Sequence, residues 1–144
     1  MADISIIQRY IDKACSQYGL VMGDLYEFDF PDPDGEPTMN CGVDKKKGIA
    51  ISPLLLELDT TFVLAVIAHE LGHIALGHSG SDHTAEYEAD EQSLIIMEFW
   101  GISPKVTLDI HTKMQRLEAY SHPGSEDRVD NIKEAILSQT DSEF

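Results

Sequence analysis

The segment AVIAHELGHIALGH, residues 65–78, constrains this chain more than any other, because it sets His69, Glu70 and His73 inside an apolar run. A run of that character belongs in a core helix. A polar group buried there without a partner costs roughly 2 to 7 kcal/mol. The two histidines are four residues apart, which on an α-helix is ~400° of rotation and ~6 Å of rise. They therefore share a face and can offer two imidazole nitrogens to one ion, which removes the cost of burying them. Glu70 lies ~100° round from His69. It is too displaced to complete that pair, yet close enough to hold a metal-bound water. His69-Glu70-Leu71-Gly72-His73 is thus an H-E-x-x-H match, in which two histidines bind zinc and the glutamate serves as base. The competing reading, two core histidines bonded to carbonyls beside a surface glutamate, fits the apolar context poorly.

A zinc site that does chemistry uses three protein ligands and keeps one position for water. The extended pattern H-E-x-x-H-x-x-G-x-x-H fails here: position 76 is Leu, position 79 is Ser, and His78 comes one residue early. His83 is a candidate, placed in a loop. EYEAD (86–90) is the stronger one. Glu86 and Asp90 are four apart and share a helix face. One carboxylate can bind the ion, and the other can accept a hydrogen bond from a ligating imidazole and fix its tautomer. Glu88 is ~200° from Glu86 and points outward. The bland alternative for these acids is a solvated helix face.

The rest of the chain reads as a single domain spanning 1–144. Ile4, Ile7, Ile11, Ala14 and Tyr18 fall at helical spacings between Asp3 and Gly19, which predicts an N-terminal helix over 1–19. LYEFDF (25–30) alternates as a strand, with Tyr26, Phe28 and Phe30 on one face. PDPDGEP (31–37) breaks it. TMNCGV (38–43), a turn at DKKKG and IAIS (49–52) predict two more strands. Asp59 or Thr60 caps the HELGH helix, and Gly77 and Gly80 mark its exit. A second helix runs from about 84 to 99. Ser103-Pro104 starts a third with Val106, Ile110, Met114 and Leu117 as its core stripe and His111 at the boundary. A last helix is expected near 125–138. The core spans 25–137, and the tail 138–144 should fray. The class is α+β, a small antiparallel sheet packed on the active-site helix and further helices.

Composition bounds the partners. Twenty-six acidic against ten basic side chains give a formal charge of −16. Such a field repels phosphate, so nucleic acid and anionic membrane surfaces are excluded as direct partners. No apolar run approaches the ~18 residues of a membrane span. The N-terminal stretch lacks a basic region followed by an apolar block, so no signal peptide is expected. Cys15 and Cys41 have no ligand-like spacing and read as free thiols in a reducing compartment. A cytoplasmic protein is expected.

With those residues in place, the chain resembles a gluzincin metalloprotease, more narrowly the soluble peptidase domain of the HtpX and CAAX-prenyl-protease family. Its minimal, membrane-free members, the minigluzincins, are the closer comparison. The resemblance rests on H-E-x-x-H followed by E-x-x-x-D on the next helix. It is strengthened by MNCGVDKKKGIAISPLLLELDTTFVLAVIAHELGH and by SHPGSEDRV (121–129), and it covers roughly 38–137. It implies one Zn²⁺ held by His69, His73 and Glu86, with Asp90 supporting a zinc-bound histidine. It implies a polypeptide substrate, with Glu70 as general base. It also implies that His122 approaches the site, either as an oxyanion donor or as a cap on the zinc, and that Arg128 pairs near the cleft. Substrates of such enzymes lie along a sheet edge, which here would be GIAIS, with Ile49, Ala50 and Ile51 contacting the peptide. The competing functional class is a latent or silent zinc-stabilised domain that binds a peptide or partner and cuts nothing. A fourth protein ligand would favour it.

Overall fold

The structure is a computed structural model that describes residues 2–20, 23–38, 40–44, 48–77, 83–115 and Lys133. Helix α1 (Ile4–Tyr18) forms where the apolar spacing places it. The Asp3 carboxylate accepts the Ser5 amide at its start, and Gly19 closes it in the left-handed conformation at φ 67°. Ile7, Ile11 and Ala14 are its buried stripe.

Three strands follow: β1 (Leu25–Glu27), β2 (Cys41–Asp44) and β3 (Gly48–Ile51), in the spatial order β1-β3-β2. The β2–β3 pair is an antiparallel hairpin with Cys41 opposite Ile51 and Val43 opposite Ile49. β1 pairs with β3 in parallel, Leu25 opposite Ile49. The α+β class holds with a small sheet, but that sheet is mixed. The thirteen residues 28–40 between β1 and β2 are the reason. They carry the chain past the sheet, so β3 returns between the two earlier strands instead of beside β2 alone. Gly48, at φ 109°, allows the close approach, since a Cβ there would strike the Asp24 carbonyl oxygen.

This order corrects one expectation. β3 is the inner strand, all four of its residues are buried, and both its sides are already paired. Ile49, Ala50 and Ile51 therefore lie in the middle of the sheet and do not form an edge for an extended peptide. The edges belong to β1 and β2. β1 is also shorter than the alternation suggests. It ends at Glu27, and Phe30 sits at φ 49°, which breaks the extended path.

A short helix, α2 (Pro53–Leu56), was not anticipated, although its signal is present: Ser52 caps it by accepting the Leu55 amide, and Pro53 fills the first turn. Helix α3 (Thr60–Ala75) starts from Asp59, whose carboxylate accepts the Phe62 amide at 3.0 Å. Its residues Phe62 to Gly72 are all buried, so it is enclosed on every side, as expected of a helix apolar all round. Helices α4 (His83–Phe99) and α5 (Pro104–Gln115) complete the described elements. Trp100 ties the end of α4 to α1 by donating its indole N–H to the Tyr10 carbonyl at 2.9 Å.

On α5 the buried face is Thr107, Ile110 and His111. Val106, expected in the core stripe, is 42% exposed, and His111, expected at the boundary, is buried at 4%. Spacings of three and four fit both sets, and the neighbouring helices select the second. The His122-Pro123 segment, Arg128, the helix expected at 125–138 apart from Lys133, and the tail lie outside the described residues, as do Lys45–Lys47 and His78.

α3 and α4 meet closely at one point. A Cβ at Gly72 would stand 2.7 Å from the Ala89 carbonyl oxygen, a backbone atom that cannot turn aside. Gly72→Ala is therefore expected to destabilise the fold by about 1 to 3 kcal/mol through overpacking. A lower urea midpoint at constant m-value would show it. An unchanged midpoint would mean that the two helices are not held at this distance.

Candidate metal centre

The Gly72 contact brings α4 against the functional face of α3, which is buried and presents His69 and His73 one turn apart. Their rings stand nearly perpendicular, 89° between planes and 4.7 Å between centroids. The two Nε2 atoms are 3.1 Å apart. From α4, Glu86 places Oε2 2.8 Å from His69 Nε2 and Oε1 3.4 Å from His73 Nε2. Among the described residues these three form a group able to hold a metal ion, with ligand atoms all within 4.8 Å of one another. His69 and Glu86 are buried, while His73 is partly open.

Asp90, one turn beyond Glu86 and fully buried, has Oδ1 2.8 Å from His69 Nδ1. An ionised carboxylate only accepts. His69 thus donates Nδ1–H to Asp90, and its Nε2 lone pair is directed at Glu86 and His73. Two imidazole nitrogens and a carboxylate oxygen then converge on one spot, an arrangement that a cation relieves. Ligand atoms of one tetrahedral zinc stand roughly 3.3 Å apart, given bonds of about 2.0 to 2.1 Å. The spacings here, 2.8 to 3.4 Å, suit such an ion after small side-chain adjustments. Two imidazoles and one carboxylate are also a donor set that zinc accepts.

Glu70 is buried on α3 between the histidines and stands outside the three-residue group. His83 begins α4, and its side chain lies outside the described residues. No sequence signal pointed to the surroundings of Cys41 on β2. Burial and the nearby Glu70 carboxylate push its thiol well above the ordinary value of 9.0. Cys15 and Cys41 are both free thiols. A protonated, enclosed thiol is inert. Iodoacetamide at pH 8 is accordingly expected to leave Cys41 unlabelled in the native protein and to label it once the chain is unfolded. Peptide mapping reads both states, and native labelling of Cys41 would contradict its burial. The sign for stability follows. The native thiol keeps its proton to higher pH than the unfolded one, so the stability tied to it is intact below about pH 9 and declines as pH rises further.

No described helix is long and apolar enough to cross a membrane. No curated relative matches the chain. The sequence profile of Peptidase family M48 matches residues 5–85, which takes in His69, Glu70 and His73 and stops one residue before Glu86. The match spans 81 of 144 residues and includes α3 with His69, His73 and the buried Glu70 between them, so this chain belongs to Peptidase family M48 and is a metallopeptidase by family.

Proposed function

We propose that this protein is a zinc-dependent endopeptidase that hydrolyses extended polypeptide segments. The observation that carries the reading is the convergence of His69, His73 and Glu86 on one point, with the Glu70 carboxylate on the same helix. His69, His73 and Glu86 would hold the ion, and Asp90 fixes the tautomer of His69 through its Nδ1–H. Zinc bound there supplies Lewis acidity, polarising a carbonyl and lowering the pKa of a water. Glu70 accepts a proton from the attacking water at its carboxylate and returns it to the nitrogen of the leaving amine. On the sequence resemblance alone, His122 is the proposed donor to the carbonyl oxygen as charge develops there.

Substrate docking moves from β3 to β2, the strand that packs against α3 and is an edge of the sheet among the described residues. Main-chain pairing at such an edge gives affinity with little sequence preference. The two free thiols support a reducing, cytoplasmic setting.

The test combines metal analysis with digestion of a peptide library by the zinc-loaded chain. One zinc per chain and internal cleavages, lost with a chelator and restored by zinc, are the expected results. Zinc at one equivalent with no cleavage across the library would replace this reading with a silent peptide-binding domain.

A further inference from the structure

We propose that Phe30, braced by Phe28, forms an apolar subsite that selects an aromatic side chain of the peptide at the position facing Gly42 across the open edge of β2. This rests on the endopeptidase reading and adds a specificity determinant to it.

The hydrogen-bond alternation of β2 fixes which of its groups face outward. The Ser52 amide donates to the Asn40 carbonyl, so Asn40 and Ser52 are a hydrogen-bonded pair. In an antiparallel ladder such pairs alternate. Gly42 opposite Ala50 is then also bonded to β3, and Cys41 and Val43 direct their N–H and C=O groups to the open side. The outward amide of Cys41 already donates to Asn40 Oδ1 at 2.8 Å. Among the described residues of β2, Val43 is therefore the one that presents both main-chain groups away from β3 for an incoming strand. A peptide running antiparallel to β2 pairs there, and its next residue lies opposite Gly42.

Facing residues of neighbouring strands point to the same side of a sheet. Cys41 is buried in the core shared with α3, so the Gly42 position faces the other way. On that side stands Phe30, with ring atoms 3.5 and 3.6 Å from where a Gly42 Cβ would be. Phe28 meets Phe30 edge to face at 5.0 Å and is itself 49% exposed. Because Gly42 has no side chain, the ring of Phe30 comes down to the sheet over β2, the strand that a peptide would pair with. An edge-to-face aromatic pair accepts a third ring readily.

The loop 28–38 holds this arrangement. Phe30 occupies the left-handed region at φ 49°, unfavourable for a bulky residue and found where surrounding contacts enforce it. Thr38 enforces it: its hydroxyl donates to the Phe30 carbonyl at 2.6 Å and its amide donates to the Asp29 carbonyl at 3.1 Å. The Asp32 carboxylate accepts the amides of Asp34 and Glu36 and closes the turn. The exposed Asp29, next in sequence to Phe30, disfavours an acidic occupant.

The experiment walks a single Phe along an otherwise Gly/Ser peptide. It measures binding to the zinc-loaded Glu70→Gln chain and cleavage by the zinc-loaded wild type. One position is expected at which Phe tightens binding about tenfold, the effect of covering one aromatic side chain partially. Phe28→Ala and Phe30→Ala should each reduce that ratio to about twofold or less. Phe28 is exposed, so Phe28→Ala decides the matter if Phe30→Ala fails to fold. Wild-type cleavage with no favoured position, or a preference that survives in folded Phe28→Ala, overturns the subsite and leaves the endopeptidase reading standing. A preference in binding that Phe28→Ala removes, with no cleavage by wild type, supports the subsite and overturns the endopeptidase reading.

Discussion

Glu70→Gln is expected to retain wild-type zinc content and to lower kcat for peptide hydrolysis by roughly 10²- to 10⁴-fold, the range set by general acid–base catalysis. Glutamine keeps the shape of the side chain, so the packing of a residue within the buried stretch Phe62–Gly72 of α3 is preserved. It cannot take a proton from water. Glu70 also stands outside the group of potential ligands, so the metal should not register the change. The loss belongs in kcat more than in KM, because the proton moves only as the transition state forms. Metal analysis and steady-state kinetics on the same preparation separate the two effects. Unchanged turnover would remove Glu70 from the base role. Loss of zinc along with activity would instead make Glu70 part of the metal site.

The parts of this site legible in the sequence were those carried by a single helical period. His69 and His73 on one element, and Glu86 and Asp90 on the next, each follow from four-residue spacing, and the structure brings the two pairs together. Helix ends were legible where a side chain or glycine sets them locally, as at Asp3, Gly19 and Asp59. Long-range choices were not legible. The spacing that makes β1 a strand does not say whether it pairs with β2 or β3, and that choice removed Ile49–Ile51 from the edge. The alternation of Tyr26, Phe28 and Phe30 likewise suggested one continuous strand, because a positive φ at Phe30 leaves no mark in residue type. His111 was misplaced because residues 106 and 110 fit the helical period as well as 107, 110 and 111 do. The Gly72–Ala89 approach has no signal within either helix alone, yet it sets the distance at which Glu86 reaches the histidines.

Glu86→Ala tests that distance directly, and its effect should be larger on the metal than on the fold. Removing a group that orients a metal-binding imidazole, as Asp90 would orient His69, costs roughly 10- to 100-fold in metal affinity. Removing a ligand should exceed that, because two imidazoles remain where catalytic zinc sites use three protein groups. Stability then changes in a diagnostic way. A metal that binds only the folded chain adds RT ln(1 + [L]/Kd), about 2.7 kcal/mol when free zinc is 100 times Kd. The wild type should therefore melt at a higher temperature with zinc than with chelator, and in Glu86→Ala that gap should close. The chelated proteins should differ little. Alanine removes a buried carboxylate that faces the His69 Nε2 lone pair, so its loss relieves as much as it vacates. Differential scanning calorimetry with and without zinc measures all four states. A gap as wide in the variant as in the wild type would assign the third ligand elsewhere, with His83 at the start of α4 the first residue to replace.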